Sequence, residues 1–248
     1  MTNSLAPLTG MGIGALGSSA LVQLAPAPMQ LVYIIVLVLV LILAGLLWRI
    51  PETVTPKPGA LAALYPEIMV PSQVKRALLA ITPINIAVWA LGGFYLSLVP
   101  SLVGATTGSS MPLVGGSVVA ALTAAGGIAV FTLRLKSPAI ALRFGVSAMT
   151  LGLLCIVAGV HLGSVTFLGL GTVIAGAGFG ANFLGAIKTI MPLAKPEERA
   201  GLLSAFYIES YLAFSLPAIL AGFLAKAVGY VETTDLYAAA IIMMMAAA

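Results

Sequence analysis

A single carboxylate interrupts an otherwise apolar run. In "LLSAFYIESYLAFSLPAIL", residues 202–220, Glu209 is the one charged residue. Ten residues separate it from Arg199, which places it about 15 Å along a helix, near the centre of a hydrocarbon core about 30 Å thick. A charge at that depth costs about 2.5–3.5 kcal/mol on insertion scales. The eleven Leu, Ile and Phe residues of the surrounding segment offset this at about 0.3–0.6 kcal/mol each. The helix inserts in spite of the carboxyl. A group in this position can take up and release a proton, or contact a cationic solute. The plainer alternative is a neutral carboxyl hydrogen-bonded to an adjacent helix.

Other polar side chains recur at helical spacing inside apolar segments. Thr82, Asn85 and Trp89 share one face with Gly93, at about 100° per residue. Gly178, Asn182, Gly185 and Thr189 form a second stripe, and Ser204, Tyr207, Tyr211 and Ser215 a third. Polar groups turned toward lipid would stay unsatisfied at a cost of several kcal/mol each, so these stripes should face protein or a watery cavity. Glu209 points about 160° from the Tyr207 and Tyr211 stripe by the same arithmetic, so both cannot line one narrow cavity. Gly176 and Gly180 form a small-xxx-small pair that lets another backbone approach. With Gly178 they resemble a nucleotide-binding cluster only superficially, because no strand–turn–helix context surrounds them. Helix packing is their expected role.

The elements that must carry these residues follow from composition. The chain has 248 residues, 61% hydrophobic and 7% charged, against about 25% charged in ordinary soluble domains. The medium is therefore lipid, and the net charge of +4 does not indicate nucleic acid. Eight apolar segments are expected to span the bilayer, near residues 8–24, 29–48, 77–99, 110–131, 144–161, 164–187, 201–225 and 236–248. The first is short and glycine-rich, and the last runs about 13 residues, short of the roughly 20 that a crossing needs. The expected fold class is an all-α polytopic helix bundle of about eight transmembrane helices. Alternate connections hold Arg49, Lys57, Lys75, Arg76, Arg134, Lys136, Arg143, Lys188, Lys195 and Arg199, leaving only Lys226 in the other set. Basic loops mark the cytoplasmic side, so both termini are expected in the cytoplasm, in the plasma (inner) membrane. Lys188 reads as an anchor that snorkels to that surface.

The connection 49–76 carries Pro51, Pro56, Pro58, Pro66 and Pro71, dense enough to break helices. Residues 59–69 could hold a short interfacial helix. The expected organisation is two transmembrane helices over 1–48, a cytoplasmic linker over 49–76, and a six-helix unit over 77–248.

This arrangement resembles the major facilitator superfamily, whose members have two six-helix halves joined by a long cytoplasmic loop. "RIPETV" with the loop after it, "WALGGFYLSLVPSLVG" in the third span, and "PLAKPEERAGLLSAFYIESYLAFSLPAILAGFLA" carry the likeness. They align the chain with the family's fifth to twelfth helices, the first four having no counterpart. The family's loop motif finds an echo in "RLKSPAIALRFG", which keeps the positive charges and lacks the acidic residue. The resemblance implies an incomplete bundle that transports a small solute by alternating access, with the missing N-terminal helices as partners. In that family the seventh and tenth helices line the central cavity, which makes Asn85, Trp89 and Asn182 candidate substrate contacts beside Tyr207 and Tyr211. The two asparagines bonding only to neighbouring helices is the other reading.

A second class of function is a non-transporting membrane fragment or assembly subunit. An intramembrane enzyme needs paired catalytic groups at one depth, and His161 at a membrane edge with one mid-membrane carboxylate does not supply them. No catalytic residue, cofactor or metal is expected. Cys155 is the sole cysteine, so no internal disulfide can form.

Overall fold

The computed structural model describes residues 2–51, 68–108 and 111–247, and most of the proline-rich connection, including 59–67 of the proposed interfacial helix, lies outside them. Ile68 and Met69, at the end of that stretch, are not helical. Among the described residues the chain is all helix with no strand: α1 (Thr2–Leu24), α2 (Pro28–Leu47), α3 (Ser72–Ser97), α4 (Val99–Thr107), α5 (Pro112–Leu133), α6 (Pro138–His161), α7 (Val165–Ile190), α8 (Arg199–Val228) and α9 (Tyr230–Ala246). Seven of these (α1, α2, α3 and α5 to α8) are long and apolar enough to cross a membrane, which makes the chain a multi-pass, membrane-embedded one.

The expected eight spans thus become seven, with α9 as the exception. Its 17 residues extend about 26 Å, a little less than a bilayer core. It begins six residues earlier than its apolar stretch suggests. The hydroxyls of Thr233 and Thr234 donate to the carbonyls of Gly229 and Tyr230, 2.6 and 2.7 Å away, so a polar first turn satisfies itself within the helix. Gly229 at φ 97° turns the chain between α8 and α9, a conformation open to glycine but disfavoured for other residues. Helix α4 was not foreseen. Pro100 has no N–H with which to continue the α3 ladder, so the chain breaks at Leu98 and restarts as α4. Helices α3 and α6 also begin several residues before their apolar stretches, because Lys75, Arg76 and Arg143 occupy opening turns that hydropathy discounts.

Local chemistry sets the helix starts. Ser137 and Ser164 accept from the backbone N–H of Ile140 and Phe167, capping α6 and α7, and Pro112 and Pro138 stand where a missing N–H costs nothing. The α5 start is capped from a neighbour: the Leu113 N–H donates to Gln23 Oε1 at 3.1 Å.

Helix α7 is the axis of the bundle, and glycine is how it holds its neighbours. A methyl group on Gly176 would overlap the Leu122 carbonyl of α5, and one on Gly180 the Gly126 carbonyl. The opposite face meets α6 antiparallel: Gly178 lies on Met149 and Gly145, Gly171 on Ile156 and Gly152, and Gly152 and Gly159 return the contact to Ala175 and Leu168. Helix α1 packs antiparallel on α5, with Gly12 facing Thr123 and Gly116 facing Ser19. Helix α2 has no buried residue at all.

The ends of the bundle are chemically distinct. Lys188 Nζ donates to the carbonyls of Arg134 and Lys136 at 2.9 and 2.5 Å, and Gln73 Nε2 donates to Glu198 Oε2 at 2.9 Å. These bonds draw the basic starts and ends of α3, α5, α6, α7 and α8 to one end.

Replacing Gly152 by valine should drive α6 from the Ala175 backbone and cost roughly 1–3 kcal/mol, the usual toll of overpacking. Gly10 has nothing within 4 Å of an added Cβ, so Gly10→Ala should be neutral or stabilising by about 0.5–1 kcal/mol. Thermal unfolding in detergent, monitored by helicity, checks both; equal stability of the two variants would contradict the packing.

Candidate functional site

Two helices that run parallel, α3 and α8, make the only seam among the described residues that joins a mid-span carboxyl to polar partners. Gly93 is what brings them together: a side chain there would overlap the Phe214 carbonyl. At the centre of the contact Ser210 is fully buried. Asn85, 1% exposed, donates through Nδ2 to Glu209 Oε1 and to Ser210 Oγ, both at 3.1 Å. Thr82 Oγ1 lies 3.2 Å from the other carboxyl oxygen, Oε2, and 3.1 Å from the Leu78 carbonyl. Glu209 has no ion-pair partner among the described residues, where the sole pair is His161 with Asp235.

This geometry accommodates either protonation state. With Glu209 ionised, Thr82 donates to Oε2 and Asn85 to Oε1. With Glu209 protonated on Oε2, that proton can be donated to Thr82 Oγ1 while Thr82 turns its own hydrogen to Leu78. A hydroxyl is one donor with two acceptor lone pairs and rotates freely, so one rotation re-satisfies the cluster. No backbone need move.

On the other flank of the seam the chemistry is aromatic. Ser210 separates Glu209 from Tyr211, so each lies about 100° to one side of the contact. The Trp89 indole is surrounded by Phe183, Tyr207, Tyr211 and Phe214, with centroids 5.7–6.3 Å away and planes inclined at 61–88°. Such edge-on arrangements are the favoured way for aromatic quadrupoles to meet. Trp89 is 6% exposed, yet its Nε1–H has no hydrogen-bond partner among the described residues. Glu209 and the tyrosines therefore take opposite sides of α3, as the wheel arithmetic requires.

Five of the six residues singled out for solute or proton contact (Asn85, Trp89, Tyr207, Glu209 and Tyr211) meet on this seam. Asn182 does not. It is fully buried between α6, α7 and α9, its Nδ2 facing the sulfurs of Met149 and Met245 at 3.8 and 3.9 Å and its Oδ1 pressed toward Gly145 without a donor. Its neighbour Phe183, turned about 100° around α7, is the residue that reaches Trp89. Sequence reasoning overlooked Ser210, Phe183 and Phe214. It also overlooked two polar ties within the bundle, Tyr95 with Thr172 at 2.9 Å and Tyr237 donating to the Ala90 carbonyl at 2.9 Å. The signal that could have found Ser210 is its place four residues after Phe206 and four before Phe214, on the face opposite to lipid.

His161 pairs with Asp235 at 2.9 Å across α6 and α9, at the end away from the basic residues, with both side chains substantially exposed. Among the described residues no group of three or more His, Cys, Asp or Glu side chains is placed to hold a metal ion. No protein-family profile, curated protein or solved structure matches the chain.

Substituting Asn85 by leucine strands Glu209 Oε1 and leaves Ser210 only its bond to the Phe206 carbonyl, and should destabilise the chain by about 1–3 kcal/mol, the usual cost of an unsatisfied buried group. Glu209→Gln keeps an acceptor for each donor and should cost under about 1 kcal/mol. Unfolding by SDS in mixed micelles ranks the two; the reverse order would remove the hydrogen-bond scheme.

Proposed function

We propose that the chain forms part of a major-facilitator-type transporter that moves a small solute by alternating access, with Glu209 as the group that takes up and releases a proton. The observation that carries this reading is the two-sided seam at mid-depth. A carboxyl that can be satisfied in both protonation states lies on one flank of α3, and donors without hydrogen-bond partners among the described residues lie on the other. In hydrocarbon such groups are costly, and where they persist they mark ion and substrate pathways.

The parallel pairing of α3 with α8 and the central place of α7 are compatible with the resemblance drawn from sequence. The exposed side of the seam calls for a cover that tolerates polar groups, and the further helices implied by that resemblance would supply it. Sorting of basic residues to one end supports a cytoplasmic face there, in the inner membrane.

Orientation is tested by single cysteines at Lys136 and Tyr230 in a Cys155→Ser background. An impermeant maleimide should label the second from outside intact cells and the first only after the membrane is opened. Labelling of both from one side would refute the topology.

Function is tested by solute uptake across a pH gradient, using the gene product at its full encoded length and, beside it, the 248-residue chain in liposomes. The full product should show saturable uptake whose pH profile flattens in Glu209→Gln, and the 248-residue chain should show none. An unchanged profile in the variant removes the proton role. Saturable uptake by the 248-residue chain alone removes the need for a cover. Failure of both to transport favours an assembly subunit.

A further inference from the structure

The aromatic flank of the seam is equipped to choose its solute. Its walls are the rings of Trp89, Phe183, Tyr207, Tyr211 and Phe214, with Tyr207 and Tyr211 stacked at 6.1 Å and 27°. Three hydrogen-bond donors belong to these rings, the indole one enclosed among them while the rings stay packed. The Trp89 Nε1–H is buried without a partner, and neither the Tyr207 nor the Tyr211 hydroxyl is hydrogen-bonded among the described residues.

Position along α8 makes this more than surface decoration. The two tyrosines stand about 12 and about 18 Å along the helix from Arg199, well inside a core about 30 Å thick. Tyrosines that anchor a helix at a membrane surface sit at headgroup level, which these do not. Tyr211 is nonetheless 61% exposed, so its hydroxyl is neither used in packing nor able to reach water past the membrane edge. A hydroxyl left this way in hydrocarbon costs several kcal/mol. The arrangement is explained if a ligand brings the acceptors.

We infer that the Trp89–Tyr207–Tyr211 cluster is a binding site for a flat, uncharged aromatic solute that carries hydrogen-bond acceptors such as ring carbonyls. Flat rings match the stacked and edge-on walls, and acceptors match a set of groups that donates. Anions are disfavoured because, among the described residues, the rings of the cluster meet no Lys, Arg or His side chain, and a charge at that depth would go unpaired. Glu209 does not alter this selection, since it lies across α3 with both carboxyl oxygens bonded to Asn85 and Thr82. The inference rests on the transport reading for the solute's role as cargo, and on the seam geometry alone for its binding.

The chain carries its own reporter. Tryptophan occurs twice, at Trp48 and Trp89, and Trp48 is 95% exposed at the end of α2. In a Trp48→Phe background all indole emission comes from the site. The purified 248-residue chain in nanodiscs is titrated with 9,10-anthraquinone, with anthracene (same rings, no acceptor) and with anthraquinone-2-sulfonate (same acceptors, anionic). Saturable quenching is expected for anthraquinone, with a midpoint about tenfold higher for anthracene, the scale of two lost neutral hydrogen bonds, and a midpoint at least about tenfold higher for the sulfonate, whose charge would be buried unpaired. Tyr207→Phe with Tyr211→Phe keeps both rings and removes both hydroxyls, and should weaken anthraquinone binding by about tenfold. Tyr33→Phe on α2 should leave it unchanged.

Equal midpoints for anthraquinone and anthracene, or no change in the double variant, would mean simple partition into lipid and would overturn the site. Saturable binding without uptake by the full gene product would sustain the site and defeat the transport reading. Uptake of other solutes with no acceptor preference at Trp89 would do the opposite.

Discussion

Contact of backbone with backbone is what this bundle rests on. Burial of apolar side chains drives folding in water, but lipid tails are as apolar as leucine, so between membrane helices that force is largely lost. What remains is van der Waals packing, which depends steeply on distance. Glycine is the means of reaching that distance. On α7 it serves two opposite faces, Gly176 and Gly180 toward α5 and Gly171 and Gly178 toward α6. The seam between α3 and α8 uses the same device at Gly93. Polar chemistry at the seam is secondary to this in construction, because Asn85 reaches Glu209 and Ser210 only when the two helices lie this close.

That closeness determines what the polar groups can do. Asn85 spends its amide hydrogens on two acceptors of α8, so it organises the seam. Glu209 is left with neutral donors around it, a setting in which gaining a proton rearranges one hydroxyl. Trp89, one helical turn beyond Asn85 on the same face, crosses from the polar zone to the aromatic one. A single face of α3 thus separates the two kinds of chemistry.

Much of this could be read from residue types. Seven of the spans, the sorting of basic residues and the Thr82–Asn85–Trp89–Gly93 stripe all follow from periodicity and charge. A helical wheel gives directions relative to its own axis, however, and never says which neighbour stands there. Asn182 shows the limit: its inward direction was legible, but the Met149 and Met245 sulfurs that receive it come from distant helices. Hydropathy likewise clipped α3, α6 and α9 at their polar first turns, where Thr233 and Thr234 bond back along their own helix. A seven-residue spacing relates Gly145, Gly152 and Gly159 in α6, and likewise Gly171, Gly178 and Gly185 in α7. It describes one antiparallel interface nearly residue by residue.

The glycine interlock also has a mechanical consequence. Helices α5, α6 and α7 are keyed together where a Cα of one fits beneath a carbonyl of the next, and an axial slip would bring those atoms into collision. Helices α3 and α8 are keyed in the same manner. Between these two blocks the contact is of another kind: Trp89 rests on Phe183, Phe179 lies over Gly92, and Tyr95 reaches Thr172. Rings can tilt and roll across one another where interlocked backbones cannot. If the molecule has a shear plane, it runs along the boundary of α3 with α7, and the tryptophan lies in it.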